Sequence, residues 1–195
     1  MESNDKKGYI FVFTGPDGSG RKTVSDMVGE TLGIPKVVSY TTRKARTGEI
    51  IGLDYHYISM EQFTHDEENG VFLEAVQIGG VKYGIKATEL QQSMEESGVC
   101  YAVVNAEGCD KLKELYGEQV VTIFLHCDVN VIVERQKAAG SSQDLIDRHV
   151  AFYGQESAYK NRCMYSFENR DSAHTAFAIT QIIEPYLNRN LLEKD

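Results

Sequence analysis

Tyr9-Ile-Phe-Val-Phe-Thr14, running into Gly15-Pro-Asp-Gly-Ser-Gly-Arg-Lys-Thr23, is the stretch on which the fold turns. The first six residues form an apolar, β-branched and aromatic run that predicts a buried strand, and Arg21 to Leu32 predicts a helix. Strand, glycine-rich loop and helix, in that order, suit phosphate. Glycines let successive backbone N–H groups turn inward around phosphate oxygens, and the helix adds the positive end of its dipole. Gly15, Pro16, Asp17, Gly18, Ser19 and Gly20, with Arg21, Lys22 and Thr23, are therefore the candidate triphosphate site. Measured against the pattern G-x-x-x-x-G-K-[ST], Arg21 stands at the lysine and Lys22 at the hydroxyl. Arg21 keeps its reach to β- and γ-phosphates. Lys22 cannot ligate Mg²⁺, so that role falls to Thr23, with the helix start shifted by one residue.

A second stretch, Ser39-Tyr-Thr-Thr-Arg-Lys-Ala-Arg-Thr-Gly-Glu49 followed by Gly52-Leu-Asp-Tyr-His-Tyr57, sets Arg43 and Arg46 in a hydroxyl-rich segment, with Tyr55 nine residues beyond. Arginine offers a planar fork of donors to a phosphate dianion, and Ser, Thr and Tyr hydroxyls complete the hydrogen bonding. The chain carries a net charge of -9, yet Thr31 to Gly48 holds Lys36, Arg43, Lys44 and Arg46 without one Asp or Glu. The positive field is local.

Together these segments resemble guanylate kinase, the nucleoside monophosphate kinase that moves a phosphoryl group from ATP to GMP. The resemblance covers nearly the whole chain. Its most specific part is T-T-R-x-x-R-x-G-E-x-x-G-x-D-Y, matched from Thr41 to Tyr55, with a looser E-x8-Y-G met by Glu74, Tyr83 and Gly84. It implies that Arg43, Arg46, Tyr55 and Tyr83 hold the GMP phosphate while Ser39 and Glu74 read guanine. A carboxylate at Glu74 can accept from both N1–H and the N2 amino group, a donor pair that adenine lacks. The family usually has Ser or Thr after that Tyr-Gly; this chain has Ile85.

Other positions depart on the donor side. The family's D-x-D becomes Val103 and Asn105, removing a carboxylate that helps organise Mg²⁺ but leaving Asn105 to bond the guanine edge. The lid pattern R-L-x-x-R-G becomes Arg135-Gln-Lys-Ala-Ala139-Gly140, keeping the first arginine and losing the second. On the next helix His149 falls where an arginine is expected, with Arg148 adjacent. Arg21, Lys22, Arg135 and Arg148 are the candidate catalytic cations, because phosphoryl transfer asks mainly for positioning and positive charge. Two classes of function stay open: an ATP:GMP phosphotransferase needing Mg²⁺ with ATP, or a catalytically impaired module that binds GMP or a phospho-ligand. Ile85 motivates a third reading, a kinase for another phosphorylated acceptor.

With 195 residues, 42% hydrophobic and 25% charged, the chain predicts one α/β unit. Alternating helices and strands imply a parallel sheet flanked by helices with an α+β insertion, and the resemblance makes these a P-loop NTPase-like core (8–36 and 86–195), a GMP-binding lobe (37–85) and a short lid (about 136–150). Strands are expected at 37–42, 55–59, 71–77, 81–83, 99–104 and 120–125; helices at 60–69, 87–97, 107–116, 130–139, 144–161 and 171–187, with Ser141 and Asp144 as a capping-box-like start. No apolar run approaches the ~20 residues of a bilayer span, and Met1 to Lys7 lacks a leader's apolar stretch. The expectation is a cytoplasmic monomer or homodimer that engages neither nucleic acid nor membrane. Cys100, Cys109, Cys127 and Cys163 are too scattered for a zinc site and predict reduced thiols.

Overall fold

The computed structural model describes residues 8–187; the expectations for Met1 to Lys7 and for 188–195 lie outside the described residues. The apolar run beginning at Tyr9 becomes β1 (Tyr9–Thr14), and its composition explains its position. It runs between β6 (Val99–Val103) and β7 (Val120–His126), parallel to both, with Phe11 registered against Tyr101 on one side and Val121 on the other. A strand paired on both edges and covered on both faces must be apolar throughout. Ile10 and Val12 pack with Leu90, Leu112 and Phe124. Phe11 and Phe13 pack with Val24, Val28, Ile179 and Ile183. Apart from Phe124 of β7, those partners come from α3 (Ala87–Ser97) and α4 (Ala106–Tyr116) on one face, and from α1 (Arg21–Leu32) and α7 (Ser172–Ile183) on the other.

β8 (Tyr165–Glu168) completes the order β6-β1-β7-β8. The sequence reading has no strand there. Its four residues alternate half-buried and exposed at the sheet edge, so only Tyr165 and Phe167 carry an apolar signal. The second sheet has the order β3-β2-β5-β4, built from β2 (Tyr40–Thr41), β3 (His56–Tyr57), β4 (Phe72–Ile78) and β5 (Val81–Lys86). The strands expected at 37–42 and 55–59 shrink to two residues each. The first shrinks because the chain changes sheets within it: Val37 N donates to Tyr101 O at 2.8 Å, on the edge of β6, while Tyr40 pairs with Gly84 in β5. α2 (Met60–Glu68) is capped by Ser59 and buries Phe63 against Phe72, ring centroids 4.1 Å apart.

α5 (Val129–Ala138) follows β7 and α6 (Gln143–Ala158) follows α5. α6 gives way at Tyr159 to a 3-10 turn rather than continuing to 161. Its cap is Ser142, whose hydroxyl accepts from Leu145 N, not Ser141. α7 likewise yields to a 3-10 turn at Glu184.

The loop after β1 depends on absent side chains. Gly15 has φ 137, and a Cβ there would lie 2.0 Å from the Leu125 carbonyl oxygen. Gly15→Ala should therefore cost on the order of 3 kcal/mol or more, against about 1 kcal/mol for Gly33→Ala, which is also left-handed but faces open space. Urea unfolding of the two variants checks the contrast; equal losses would remove the close approach as the cause.

Candidate active site

The carboxyl ends of the parallel strands open, as this topology dictates, onto a cleft of about 520 Å³. Its walls come from the loop after β1, the second sheet, the end of β6 and the α5–α6 connection.

On the loop side, α1 begins at Gly20 with no side-chain cap and no acidic residue in its first turn, leaving its positive end uncompensated there. Asp17, Gly18, Arg21 and Thr23 line the cleft. Arg21 is ion-paired to Asp17, and Asp17 also faces His149 Nε2 at 3.5 Å. The Asp17 N–H donates to Glu156 of α6 at 3.2 Å. Buried Ser19 is fixed from outside: Asn169 Nδ2 donates to its carbonyl at 2.7 Å. Gly15, Pro16, Ser19 and Gly20 shape the loop from behind and do not line the cleft.

Opposite, Glu49 gathers four donors. Both Arg43 terminal nitrogens donate to it at 2.7 Å, Arg46 N at 2.7 Å and the Tyr57 hydroxyl at 2.8 Å. Arg43 above all holds its carboxyl down at about 2, against the opposing pull of burial. The Arg43 guanidinium lies 4.9 Å over the Tyr55 ring, and Tyr55 meets Tyr83 edge-on at 6.0 Å. Burial raises the Tyr55 hydroxyl's pKa, with Arg21 and Arg43 pulling against it. Arg46 lines the same wall and is exposed. This is a cationic, hydroxyl-bearing wall built for an anion.

The apolar end of the cleft holds Glu74, only 7% exposed, whose Oε2 has no partner from the protein. Burial, with the Glu107 charge adding to it, pushes its pKa up to about 7. Asn105 lies near; its Oδ1 caps α4 through Gly108 N at 2.9 Å, so its Nδ2 is the group left to donate into the cleft. Ser39 joins them, and Val103 and Val104 contribute apolar surface. Ile85 is wholly buried in the core and does not line the cleft.

The lid side brings Arg135, Gln136, Ala139, Ser141, Leu145 and His149 to the cleft. Arg135 donates to the Asn169 and Arg170 carbonyls, each at 3.0 Å. Burial lowers the His149 pKa, and the nearby arginines lower it further against Asp17.

Most of the residues singled out in sequence converge here; besides the four loop residues that stand behind the cleft, two cations do not. Lys22 leaves the cleft for Asp54 and Asp26, at 2.6 and 2.9 Å. Arg148, exposed on α6, reaches Gly79 at the β4–β5 turn and does not line the cleft, whereas His149 does. Sequence reasoning did not single out Glu49, Tyr57 or Gln136. Glu49 could have been found six residues after Arg43, at the spacing a tight turn needs to return a carboxylate to it. Among the described residues no group of three or more His, Cys, Asp or Glu can hold a metal. That does not bear against magnesium arriving with a nucleotide, which uses few protein ligands; Thr23 lines the cleft and its hydroxyl makes no hydrogen bond among the described residues, so it fits. No helix among the described residues is long and apolar enough to cross a membrane.

A family model described as guanylate kinase matches residues 7–184. Among curated relatives, the guanylate kinase of Clostridioides difficile is 30% identical over 186 residues, covering 94% of this chain and 91% of that protein. The Helicobacter hepaticus guanylate kinase is 31% identical over 142 residues, covering 71% of this chain and 70% of that one. The crystal structure of guanylate kinase from Anaplasma phagocytophilum superposes with a TM-score of 0.74 at 26% identity, over 95% of this chain and 89% of that one. Shikimate kinase from Bacteroides thetaiotaomicron, at 17% identity and a TM-score of 0.52 over 93% and 99% of the two chains, shares the fold alone. Both are P-loop NTPase folds.

The state of Glu74 makes a stability prediction. Its folded pKa, about 7, lies above the ordinary 4.5, so its contribution is fully present below the ordinary value and is lost as pH rises through 7. Glu74→Gln should then match the unliganded wild type near pH 4 and exceed it by on the order of 3 kcal/mol near pH 8.5. Chemical denaturation at the two pH values tests this; a constant difference would mean that Glu74 is not held against its charge.

Proposed function

The chain belongs to the guanylate kinase family, nucleoside monophosphate kinases, and we propose that it transfers the γ-phosphoryl of ATP to GMP in this cleft. The observation that carries the reading is Glu74: a buried carboxyl oxygen without a protein partner, in a cleft whose other wall is Arg43, Arg46, Tyr55 and Tyr83. A guanine offers that carboxylate two N–H donors while its phosphate meets the cationic wall. Ser39 and the Asn105 amide complete the recognition of the base, Asn105 donating toward O6.

The triphosphate lies along Gly15 to Thr23, on the uncapped start of α1. Arg21 exchanges Asp17 for phosphate oxygens, and Arg135, anchored on two carbonyls, adds a fixed positive charge. The acceptor's phosphate oxygen attacks the γ-phosphorus, the bond to the ADP oxygen breaks, and no covalent intermediate or side-chain base is required. Closure of the α5–α6 lid excludes water, so transfer outruns hydrolysis. The family's reaction generally uses a divalent metal with ATP; Thr23 would hold Mg²⁺, which neutralises phosphate charge when bound. We take the protein to act in the cytoplasm, as a monomer or homodimer, on free nucleotides; four free cysteines suit that compartment. The non-catalytic alternative is not favoured, since the relatives are named for the enzyme.

ADP formation from ATP with each nucleoside monophosphate tests the function. GMP should be the accepted acceptor; equal turnover of AMP would overturn the assignment. Because GMP and AMP share the same phosphate, their affinity ratio isolates Glu74. It should rise between pH 6 and 8 as the carboxylate forms, and Glu74→Gln should flatten that rise and shrink the ratio about tenfold.

Arg46→Ala should weaken GMP by on the order of 2 kcal/mol without changing thermal stability, since its guanidinium holds nothing else. Arg43→Ala should weaken GMP at least as much and also lower the melting temperature, because it strips Glu49 of its bidentate partner. Calorimetry with thermal melts separates the two; unchanged GMP affinity in both variants would remove this wall from the acceptor site.

A further inference from the structure

Lys22 is the cation that this mechanism leaves unused. It follows Arg21 in the first turn of α1, yet its Nζ turns from the loop to Asp54 and Asp26. The two carboxylates belong to different parts of the fold. Asp26, one turn along α1, has other partners: Lys36 at 3.0 Å and the Tyr101 hydroxyl at 2.9 Å. Asp54 belongs to the turn joining Glu49 to β3 and is 9% exposed. One of its oxygens meets Lys22; the other accepts from Ile50 N at 2.6 Å and closes the turn, which Asp54 N donating to Ile50 O at 2.9 Å tightens. On either side of this turn stand Glu49, which aims Arg43, and Tyr55, which lines the cleft. One ion pair thus joins the helix that carries the phosphate loop to the turn that carries the anion-binding wall.

We propose that Lys22 is a positioning residue, which through Asp54 sets the acceptor phosphate grip against the phosphate loop and does not bind the phosphates of ATP. This rests on the acceptor assignment made above. In-line transfer needs the attacking oxygen about 3–3.5 Å from phosphorus, so a tie that fixes the spacing of two walls acts most strongly on turnover. Lys22 is half exposed and solvent screens its charge, whereas Asp54 is buried and loses its cation when Lys22 is removed. The effect should therefore be moderate, well short of the loss of a phosphate ligand.

The test is a double-mutant cycle on the full chain with Lys22→Met, Asp54→Asn and the pair, with Lys22→Arg as the conservative variant. Lys22→Met should lower kcat about tenfold and leave ATP affinity within about twofold, and Lys22→Arg should recover most of the loss. The double variant should be no worse than the poorer single one. A tenfold or greater loss of ATP affinity in Lys22→Met would overturn the proposal and make Lys22 a phosphate ligand, as would independent, multiplying losses in the cycle. The same cycle on GMP affinity, by titration, does not depend on turnover. Non-additive losses of about threefold would sustain the tie even if no ADP formed, in which case the kinase assignment alone would fall; additive or absent effects would overturn the tie.

Discussion

The close passage of Gly15 against the Leu125 carbonyl is the constraint from which the site is measured. β1 is held on both edges by parallel partners, so its end cannot shift, and the chain must turn sharply where the next strand's backbone leaves no room for a Cβ. The loop is gripped again on its far side, where Asn169, just after β8, bonds the Ser19 carbonyl, and Arg135 bonds the carbonyls of Asn169 and Arg170. A loop fixed at both ends presents its N–H groups without paying for their ordering when a ligand arrives, which is the value of building it on a sheet.

Charge is managed differently on the two sides of the cleft. The chain is acidic overall, yet Arg21, Arg43, Arg46 and Arg135 converge on one cleft. Like charges so close repel, and in the free protein acceptors offset them: Asp17 on Arg21, Glu49 on Arg43, carbonyls on Arg135. The pairings are not equivalent. Glu49 binds four donors and fixes the Arg43 fork over Tyr55, so it orients the cation; Asp17 holds Arg21 through a single contact, which on the function proposed above an incoming phosphate would have to displace. Among the described residues the Arg46 guanidinium has neither hydrogen bond nor ion pair, so it is the cation most available to an acceptor. On the function proposed above, the wall of Arg43 and Arg46 is prepared in advance, whereas on the loop side the Arg21 side chain must first leave Asp17.

Strand β1, the loop and α1 were legible because local signals agree there: an apolar run, glycines at left-handed positions, and a helix closed by Gly33. Other features depend on distant residues. The shortened strand at 37–42 follows from pairing with Tyr101, some sixty residues on, and β8 exists only because β7 offers an edge. Lys22 reads as a phosphate-loop cation from its position, and its turn toward Asp54 is decided by the second sheet. The choice between Arg148 and His149 depends on the register of α6, which residues on the far side of the α5–α6 connection decide. The helix that starts at Ser142 turns Ser141, Leu145 and His149 to the cleft and leaves Arg148 outside.

Buried polar atoms in folded proteins are nearly always satisfied, so where they are not is informative. Among the described residues six such atoms lack protein partners: Glu74 Oε2, Arg43 Nε and Gln136 Oε1 on residues that line the cleft, Ser19 Oγ and Asn169 Oδ1 where the loop is fixed, and Ser157 Oγ on α6. For the three on cleft-lining residues, the fold carries this cost where a ligand can relieve it. On the function proposed above, the relief at Glu74 would be selective. A guanine edge brings two donors to a carboxylate that burial has made expensive to charge; an adenine edge brings a ring-nitrogen acceptor there and leaves the oxygen unpaired. Discrimination then comes less from what guanine gains than from the desolvated carboxylate that the wrong base strands, the stronger of the two ways a site can choose.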